Sequence, residues 1–516
     1  MIKADLLLTN AEFVTLDGPA SALAVLGDRI VALEEVPARE VVDLGGAVVT
    51  PGFHDAHNHM AWFGLTLSEV DCRVTSLDAL YAAVEAAPDG EWVVGFGYDQ
   101  NKCGGHPTRE GLDRVARGRK VWIKHTSGHM CVVNTPVLAA LGIAGQTVEV
   151  TGGVVDTETG LLQEQAQQLV NPLVLPYPVD TLVDAIDRAG RVYLSEGVTS
   201  CVEAGIGGGW IGKSPVELEA YHRAREQGRL HVRVELMVAA DALHEITELG
   251  LGLDLGLRTG FGDDWLRIGP TKIFSDGSLI GHTAAMCHDF ADTPGNHGYL
   301  QGDAETLRAQ IIAAHRAGWR VATHAIGDAA IDLVLDAYDE AQRSHPRPDV
   351  RHRVEHFGVS RPDQVRRAFE LGVIPVPQGR FVNEIGDGML RALGPGRAAW
   401  AYRQRSLLDA GLVVPGSSDR PVVSGAPLLG MHDMVNQLTS SGAPFTPAEA
   451  VTGLEALRAF TSGSAYASKQ EHLKGTLSAG KLADLVVLSG NPATTDRINE
   501  IQVLRTMVGG RFRWSS

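Results

Sequence analysis

The segment Pro51-Gly-Phe-His-Asp-Ala-His57-Asn-His59 has the composition of a buried β-strand that ends in two histidines. Side chains two positions apart on a strand face the same side, so His57 and His59 are predicted to point together and Asn58 away. Two convergent neutral imidazoles suit a borderline divalent cation such as zinc. A His-x-His pair alone equally fits two unrelated polar histidines at a strand end. The interpretation as a metal site therefore depends on further ligands from later strands.

Four later segments carry a polar group at or near the end of a short apolar run. These groups are Lys272 within Ile268–Gly277, His324 at the end of Trp319–His324, His356 at the end of Arg351–His356, and Asp419 at the end of Leu412–Asp419. A parallel (β/α)8 barrel places its active site at the C-terminal ends of its strands. We therefore expect these side chains to converge with the two histidines.

Residues 51–465 alternate strand-like and helix-like segments, which is the pattern of a parallel sheet. Three more strand-like runs bring the strand count to eight: Gly197–Glu203, Val232–Val238 and Val373–Gln378. The sequence thus predicts an α/β fold, a distorted (β/α)8 TIM-like barrel. Residues from about 67 to 190 exceed one connection and predict an α/β insertion after strand 1 that encloses the substrate.

Residues 1–50 and 466–516 both consist of short strand-like runs separated by turn signals. Each end is too short to bury a core of its own. We therefore expect the two ends to pair into one small β-sandwich domain.

Composition limits the classes of partner. The chain has 516 residues, of which 44% are hydrophobic and 21% charged, with a formal charge of −17. This acidity argues against nucleic-acid and anionic-membrane partners, and we expect a small-molecule substrate. Five scattered cysteines without a CxxC pair, a poor signal peptide and no membrane-length apolar run predict a cytoplasmic protein. A homodimer is left open.

The polar residues, taken in strand order, resemble the binuclear metal centre of the amidohydrolase superfamily. The local sequence motifs are similar to those of the amidohydrolase-3 branch, in the group of N-substituted formamide deformylases. The motifs that carry this resemblance are Lys272-Ile-Phe-Ser-Asp-Gly-Ser, Thr323-His-Ala-Ile-Gly-Asp, Arg353-Val-Glu-His and Gly416-Ser-Ser-Asp. The resemblance covers nearly the whole chain, including its split β domain.

The resemblance implies two divalent metal ions, with zinc expected, and an N6-carboxylated lysine as bridging ligand. The implied ligands are His57, His59, Lys272, His324, His356 and Asp419. Electrostatics supports the lysine's role, because an ammonium between two dications would be strongly repelled whereas a carbamate would bind both. The alternative is a structural Lys272 paired with Asp276 or another carboxylate.

A metal-bridging hydroxide would then attack the substrate, with Asp419 accepting the proton and passing it to the leaving amine. The expected reaction is hydrolysis of a non-peptide C–N bond in an amide, formamide or cyclic amide. A mononuclear heterocycle deaminase, in which Lys272 is not a ligand, is one alternative. A binding or scaffold protein that has lost catalysis is another.

Five further residues are candidates for the site, each with a structural alternative. His129, after a Ser-Gly turn, could donate to the substrate oxyanion or stabilise its loop. Tyr98, Asp276, His282 and Gln378 are predicted to bind substrate, although packing, turn capping or loop contacts would also explain them. His282 stands where relatives often carry arginine, which puts anion binding there in doubt.

Overall fold

The core of the computed structural model, which describes residues 3–209 and 211–516, is a curved, nearly closed parallel sheet of seven strands. The strands neighbour one another in chain order: Phe53–Asn58, Val198–Ile206, Arg233–Ala239, Leu266–Phe274, Val321–Ala325, Arg353–His356 and Ile374–Val376. The first three are buried along their whole length. Burial on both faces is typical of a parallel barrel, and the expected α/β barrel is confirmed at this level.

The eighth expected strand, at Leu412–Asp419, does not form a regular strand. Its backbone still bonds to the first strand, since Ala56 donates to the Gly416 carbonyl and Asp419 donates to the His57 carbonyl. Pro415 has no N–H to donate, which prevents a continuous ladder. The segment therefore closes the barrel through isolated hydrogen bonds and still brings Asp419 beside the first strand.

Helices cover the outside of the sheet. Ala304–Arg316 and Asp328–Ser344 pack their apolar faces on the central strands, in one cluster that contains the fully buried Trp319. The other helices of eight or more residues around the barrel are Val179–Ser195, Glu217–Glu226, Pro362–Glu370, Gly386–Ala398 and Pro427–Asn436. Shorter helices include Met60–Thr66, Gln404–Asp409, Gly453–Arg458 and Ser464–Ala467. Among the described residues, no helix is long and apolar enough to cross a membrane.

A six-stranded mixed sheet lies in the connection between the first two barrel strands. Its strands are, in spatial order, Gly153–Asp156, Leu161–Glu164, Met130–Val133, Lys120–His125, Trp92–Tyr98 and Val70–Asp71. Helices Leu77–Glu85, Gln100–Cys103, Arg109–Ala116 and Thr135–Ala140 accompany it. This sheet positions the loop that contains His129 at the C-terminal mouth of the barrel.

Two further sheets are built from the ends of the chain. One contains Ala4–Thr9, Leu23–Leu26, Arg29–Ala32 and Ala38–Asp43, and the other contains Glu12–Phe13, Val48–Pro51, Leu485–Leu488, Val503–Val508 and Arg511–Ser515. A remaining two-stranded hairpin joins His244–Ile246 to Gly250–Gly252. A buried ion pair of 2.7 Å between Arg233 Nε and Asp484 Oδ2 links the third barrel strand to the sheet that combines strands from both ends of the chain.

Candidate metal centre

A cavity of about 270 Å³ lies at the C-terminal mouth of the barrel. Its lining includes all six ligand candidates: His57, His59, Lys272, His324, His356 and Asp419. Each of these residues is at most 6% exposed. Residues that lie far apart in sequence therefore converge because each stands at, or just beyond, the end of a parallel strand or the irregular eighth segment.

His57, His59 and Asp419 form the tightest group. The Oδ1 atom of Asp419 lies 3.3 Å from His57 Nε2 and 3.1 Å from His59 Nε2. One ligand atom from each of the three side chains lies within 4.8 Å of the others, so together they could hold one metal ion.

The local backbone explains this convergence. The first barrel strand ends at Asn58, and His59 is the residue that precedes helix Met60–Thr66. Asp419 has a φ of 59°, a left-handed conformation that is unusual for a residue other than glycine. The preceding Ser418 donates its N–H to Asp55 Oδ1 over 3.1 Å, which ties this turn to the first strand. Strain of this kind is typical of functional sites.

Hydrogen-bond acceptors hold the outward nitrogens of three histidines. His57 Nδ1 contacts the Glu355 carboxylate, and His59 Nδ1 lies 3.6 Å from Glu203 Oε1. His356 Nδ1 bonds to the side-chain oxygen of Gln378 over 2.7 Å. An acceptor on one ring nitrogen fixes the tautomer and leaves the other nitrogen for a metal ion.

His324 is oriented through one ring nitrogen, Nε2. Its Nε2 lies 3.2 Å from the Gly277 carbonyl and 3.4 Å from Asp276 Oδ1. Its Nδ1 is buried and, among the described residues, has no hydrogen-bond partner. An orphaned buried nitrogen in a cavity of ligating groups fits a metal ligand.

Lys272 is fully buried, and its Nζ lies 4.7 Å from the centre of the Phe274 ring. No carboxylate of the described residues lies within 4 Å of this ammonium group, so the structural ion pair with Asp276 does not form. Burial lowers the pKa of Lys272 to about 8, against the opposing effect of Glu355 and Asp419. A neutral amine is therefore accessible at this position, and it fits a carboxylated ligand.

The electrostatics of the site suits cation binding. Burial lowers the pKa of His324 and of His356 well below the ordinary value, so both imidazoles are neutral at pH 7. Burial alone would raise the pKa of Asp419, but the imidazoles of His57 and His59 hold it well below its usual range. The neutral imidazoles of His324 and His356 and the ionised carboxylate of Asp419 are the protonation states that metal ligands require. Burial would lower the pKa of His59, but Asp419 and Glu203 raise it, so this imidazole would release a proton on binding a metal ion.

His129 reaches the same cavity from the insertion. Its Nδ1 lies 2.7 Å from Glu164 Oε2, and its ring centre lies 5.1 Å from that of His324. The preceding Gly128 has a φ of 73°, and a Cβ there would come within 2.5 Å of the Trp62 ring. The Ser-Gly-His turn thus needs glycine both for its backbone and for the close approach of Trp62.

Tyr98 and His282 lie outside the lining of this cavity, and their contact with substrate stays a prediction. The Tyr98 hydroxyl bonds to His106 Nδ1 over 3.2 Å, inside the core of the insertion. His282 Nε2 lies 2.8 Å from Asp292 Oδ1. Both rings are held by neighbours that the sequence alone does not place in space.

Asp276 and Gln378 contact histidines of the site, and their predicted contact with substrate stays a prediction. The Asp276 carboxylate accepts the N–H groups of Ala285, Ile326 and Gly327 at 2.8 to 3.0 Å and lies behind His324. Gln378 lies behind His356. These contacts position the metal-ligand candidates His324 and His356.

Sequence reasoning missed the carboxylates that orient the histidines, chiefly Glu355, Glu203 and Glu164. Glu355 is fully buried and also pairs with Arg353 over 2.7 Å. The signal available was an acidic residue inside an apolar strand, as in Arg353-Val-Glu-His. Such a residue is almost never buried unless it has a partner.

A second, apolar lobe of about 310 Å³ adjoins the centre and shares His129, His356 and Asp419 with it. Its other lining residues include Ile280, Ile326, Phe381, Ile385, Met389 and Tyr402. This lobe offers an uncharged surface for part of a small molecule.

A parallel barrel with histidines and an aspartate at its mouth defines a metal-dependent hydrolase architecture, and the comparisons identify the family. The amidohydrolase family model matches residues 40–513, so the chain belongs to this family. This confirms the resemblance seen in the sequence motifs.

Individual relatives are similar over nearly the whole chain. Protein LONG AFTER FAR-RED 3 from Arabidopsis thaliana is 31% identical over 99% of this chain and 91% of its own length. N-substituted formamide deformylase from Arthrobacter pascens is also 31% identical, over 99% of this chain and 98% of its own length. A solved structure, an uncharacterized metal-dependent hydrolase from Pyrococcus horikoshii, has a TM-score of 0.78 and 26% identity, covering 96% of this chain and 99% of that protein.

Proposed function

We propose that the protein is a metal-dependent hydrolase that cleaves a non-peptide C–N bond in an amide, formamide or cyclic amide. The observation that carries this proposal is the convergence of His57, His59 and Asp419 in one buried cavity with Lys272, His324 and His356. The similarity to an N-substituted formamide deformylase over 99% of the chain supports an amide-like substrate.

The proposed cofactor is a pair of divalent ions, most simply zinc. His57, His59 and Asp419 would hold one ion, and His324 and His356 would hold the other. Lys272 would be N6-carboxylated: its neutral Nζ would add to carbon dioxide with loss of a proton, and the carbamate would supply an anionic ligand to the metal ions. The absence of a direct carboxylate partner for Lys272 among the described residues and the orphaned Nδ1 of His324 support this division.

The ions, when bound, supply Lewis-acid polarisation of the substrate carbonyl and a water of lowered pKa. Asp419 is placed to accept the proton of the attacking water and to return it to the leaving nitrogen. His129, whose ring is held by Glu164, is placed to donate a hydrogen bond to the carbonyl oxygen as negative charge develops there. The apolar lobe beside Phe381 and Met389 would hold one substituent of the bond.

We also propose that residues 1–50 and 466–516 form one small β domain beside a barrel domain of residues 51–465. A shared hydrophobic cluster supports this division, since Leu8 and Val25 from the N-terminal end pack with Leu485 and Met507 from the C-terminal end. Limited proteolysis that released either end alone without unfolding the other would argue against it.

Metal analysis combined with a substrate panel tests the proposed activity. Zinc-loaded protein should contain two ions per chain and should hydrolyse members of a panel of formamides, N-acyl amines and lactams. One ion per chain with release of ammonia from a heterocycle would favour a mononuclear deaminase instead. Protein that binds no metal and hydrolyses nothing would refute catalysis.

A further inference from the structure

A separate cavity adjoins the metal centre on the side of the insertion. It encloses about 620 Å³, part of it open to solvent, and shares Trp62, Gly128 and Ile211 with the lining of the metal-centre cavity. The centre of the Trp62 ring lies 5.4 Å from that of His59. A molecule that reaches the metal centre can therefore extend into this cavity, which we call the insertion-side cavity.

Its walls suit a flat apolar group. Trp62, Trp122 and Tyr177 contribute aromatic surface, and Leu65 and Ile211 contribute aliphatic surface. The absence of a side chain at Gly128 allows the Trp62 ring to lie against the turn. Aromatic side chains supply large contact areas for planar ligands.

The charged residues in the lining are two lysines, Lys124 and Lys213, and no carboxylate is among them. Lys124 is neutralised by Glu69, whose Oε1 lies 2.6 Å from its Nζ. Lys213 Nζ lies 5.4 Å from the centre of the Trp62 ring. Within the described part of the chain, no carboxylate lies within 4 Å of that Nζ and it makes no hydrogen bond.

The acidic groups around Lys213 are engaged elsewhere. Glu203 accepts the N–H of Ala61 and the hydroxyl of Tyr221, and Glu217 accepts the N–H groups of Gly207 and Lys213 itself. Burial lowers the pKa of Lys213 to about 8, with Glu217 opposing this effect, so its side chain is mostly cationic at pH 7. The cavity thus presents one positive charge that faces the Trp62 ring and that no carboxylate of the described residues pairs with directly.

The backbone holds this lysine in place from both sides. Its N–H donates to Glu217 Oε2 over 2.8 Å, and its carbonyl accepts the N–H of Tyr177 over 3.0 Å. Glu217 begins helix Glu217–Glu226, and Tyr177 precedes helix Val179–Ser195. The ammonium group is therefore presented from a braced loop, which lowers the entropic cost of binding an anion.

We propose that the insertion-side cavity binds the aromatic or planar apolar part of the substrate, and that this part carries a carboxylate that pairs with Lys213. The assignment of this molecule as substrate rests on the proposed hydrolase function, whereas the binding preference does not. The substrate class is then an N-acyl or N-formyl compound with an anionic aryl substituent. The uncharged lobe beside Phe381 would take the other substituent.

Calorimetric titration with phenylacetate and phenylacetamide tests the preference independently of turnover. These ligands have the same shape and differ in charge. Zinc-loaded protein should bind phenylacetate about tenfold or more tightly than phenylacetamide, as expected for a charge-assisted contact. Lys213→Gln should abolish that difference and leave phenylacetamide binding unchanged, whereas Lys213→Arg should retain it. Lys102→Gln, at an exposed helix position, is the matched control.

Two outcomes would overturn the proposal. One is wild-type protein that does not favour phenylacetate. The other is a preference that survives Lys213→Gln, because a carboxylate held by the metal ions would behave in that way. Turnover of N-benzylformamide and its para-carboxylate separates this inference from the proposed function: hydrolysis of both without Lys213-dependent preference refutes only the inference. Hydrolysis of neither, with Lys213-dependent binding of phenylacetate, upholds the inference about binding and counts against formamide hydrolysis in the proposed function.

Discussion

His356 Nδ1 lies 2.7 Å from the side-chain oxygen of Gln378, so an amide beyond the seventh strand fixes the orientation of a histidine on the sixth. The Gln378 amide nitrogen is itself held, donating to the Val376 carbonyl over 2.8 Å and to Ser417 Oγ over 3.2 Å. This anchoring turns the amide oxygen toward His356 and sets its tautomer.

Replacement of the Gln378 amide should weaken metal binding, although this side chain is not itself a metal-ligand candidate. Gln378→Leu should lower metal affinity by about 10- to 100-fold, the usual cost of losing such an orienting partner. Competition with a chromophoric chelator measures this. Gln404→Leu is the matched control, because Gln404 is equally buried and its side chain makes no hydrogen bond to any described residue. Equal affinity in the two variants would contradict the orienting role.

Lys272 tests the two-metal proposal. Lys272→Ala should reduce metal content below two ions per chain and lower activity in parallel, because the bridging carbamate cannot form. Elemental analysis and turnover on the same sample give both quantities, and mass spectrometry of the wild type should show the added carbon dioxide. A Lys272→Ala protein that keeps two ions would exclude the bridge.

The positions of the site residues could be predicted from the sequence, because these residues stand at strand ends. His57, Lys272, His324 and His356 each stand at or near the C-terminus of an apolar run, and parallel pairing forces such ends together. Asp419 followed the same logic, although Pro415 keeps its segment from becoming a regular strand. The convergence of the site was therefore predictable, because it depends on chain direction and burial alone.

The residues that surround the ligands were not predictable in the same way. Whether Gln378 faces a substrate or His356 depends on its rotamer and on Ser417, which one sequence does not fix. The insertion determines where Tyr98 lies and places Trp122 and Tyr177 in the cavity that Lys213 also lines, and its packing against the barrel is a long-range tertiary outcome. Periodicity reports which face of an element is buried but not which neighbour covers it.

An ion pair far from the metal centre should make the free energy of unfolding depend on pH. The Arg405 guanidinium, 2.9 Å from both Glu455 oxygens, lowers the pKa of Glu455 from 4.5 to about 2. A folded-state pKa below the unfolded value stabilises the fold above pH 4.5, and this contribution is lost as pH falls toward 2. Glu455→Gln should therefore cost about 1 kcal/mol or less at pH 7, given solvent screening.

Denaturant titrations of wild type and Glu455→Gln, at pH values between 7 and 4, measure the difference in unfolding free energy. The difference should shrink as the pH approaches 4. Glu500→Gln is the control, because its carboxylate is 65% exposed and lies 3.8 Å from Arg497. A difference that stays constant with pH would show that the variant acts through packing instead.

Asp419 is the residue on which the proposed proton transfer depends. Its Oδ1 lies within 3.3 Å of a ring nitrogen of His57 and of His59, so it is both a ligand candidate and a neighbour of the reacting water. Asp419→Asn preserves size and can still bind a metal through its amide oxygen, but it cannot carry a proton at neutral pH. We expect this variant to fold, to retain at least one metal ion, and to lose activity by ~10²-fold or more. His129→Asn, measured in parallel, should lower turnover by removing the donor to the carbonyl oxygen. Near-parental turnover in Asp419→Asn with metal retained would assign the proton transfer to another group, with His129 the next to test.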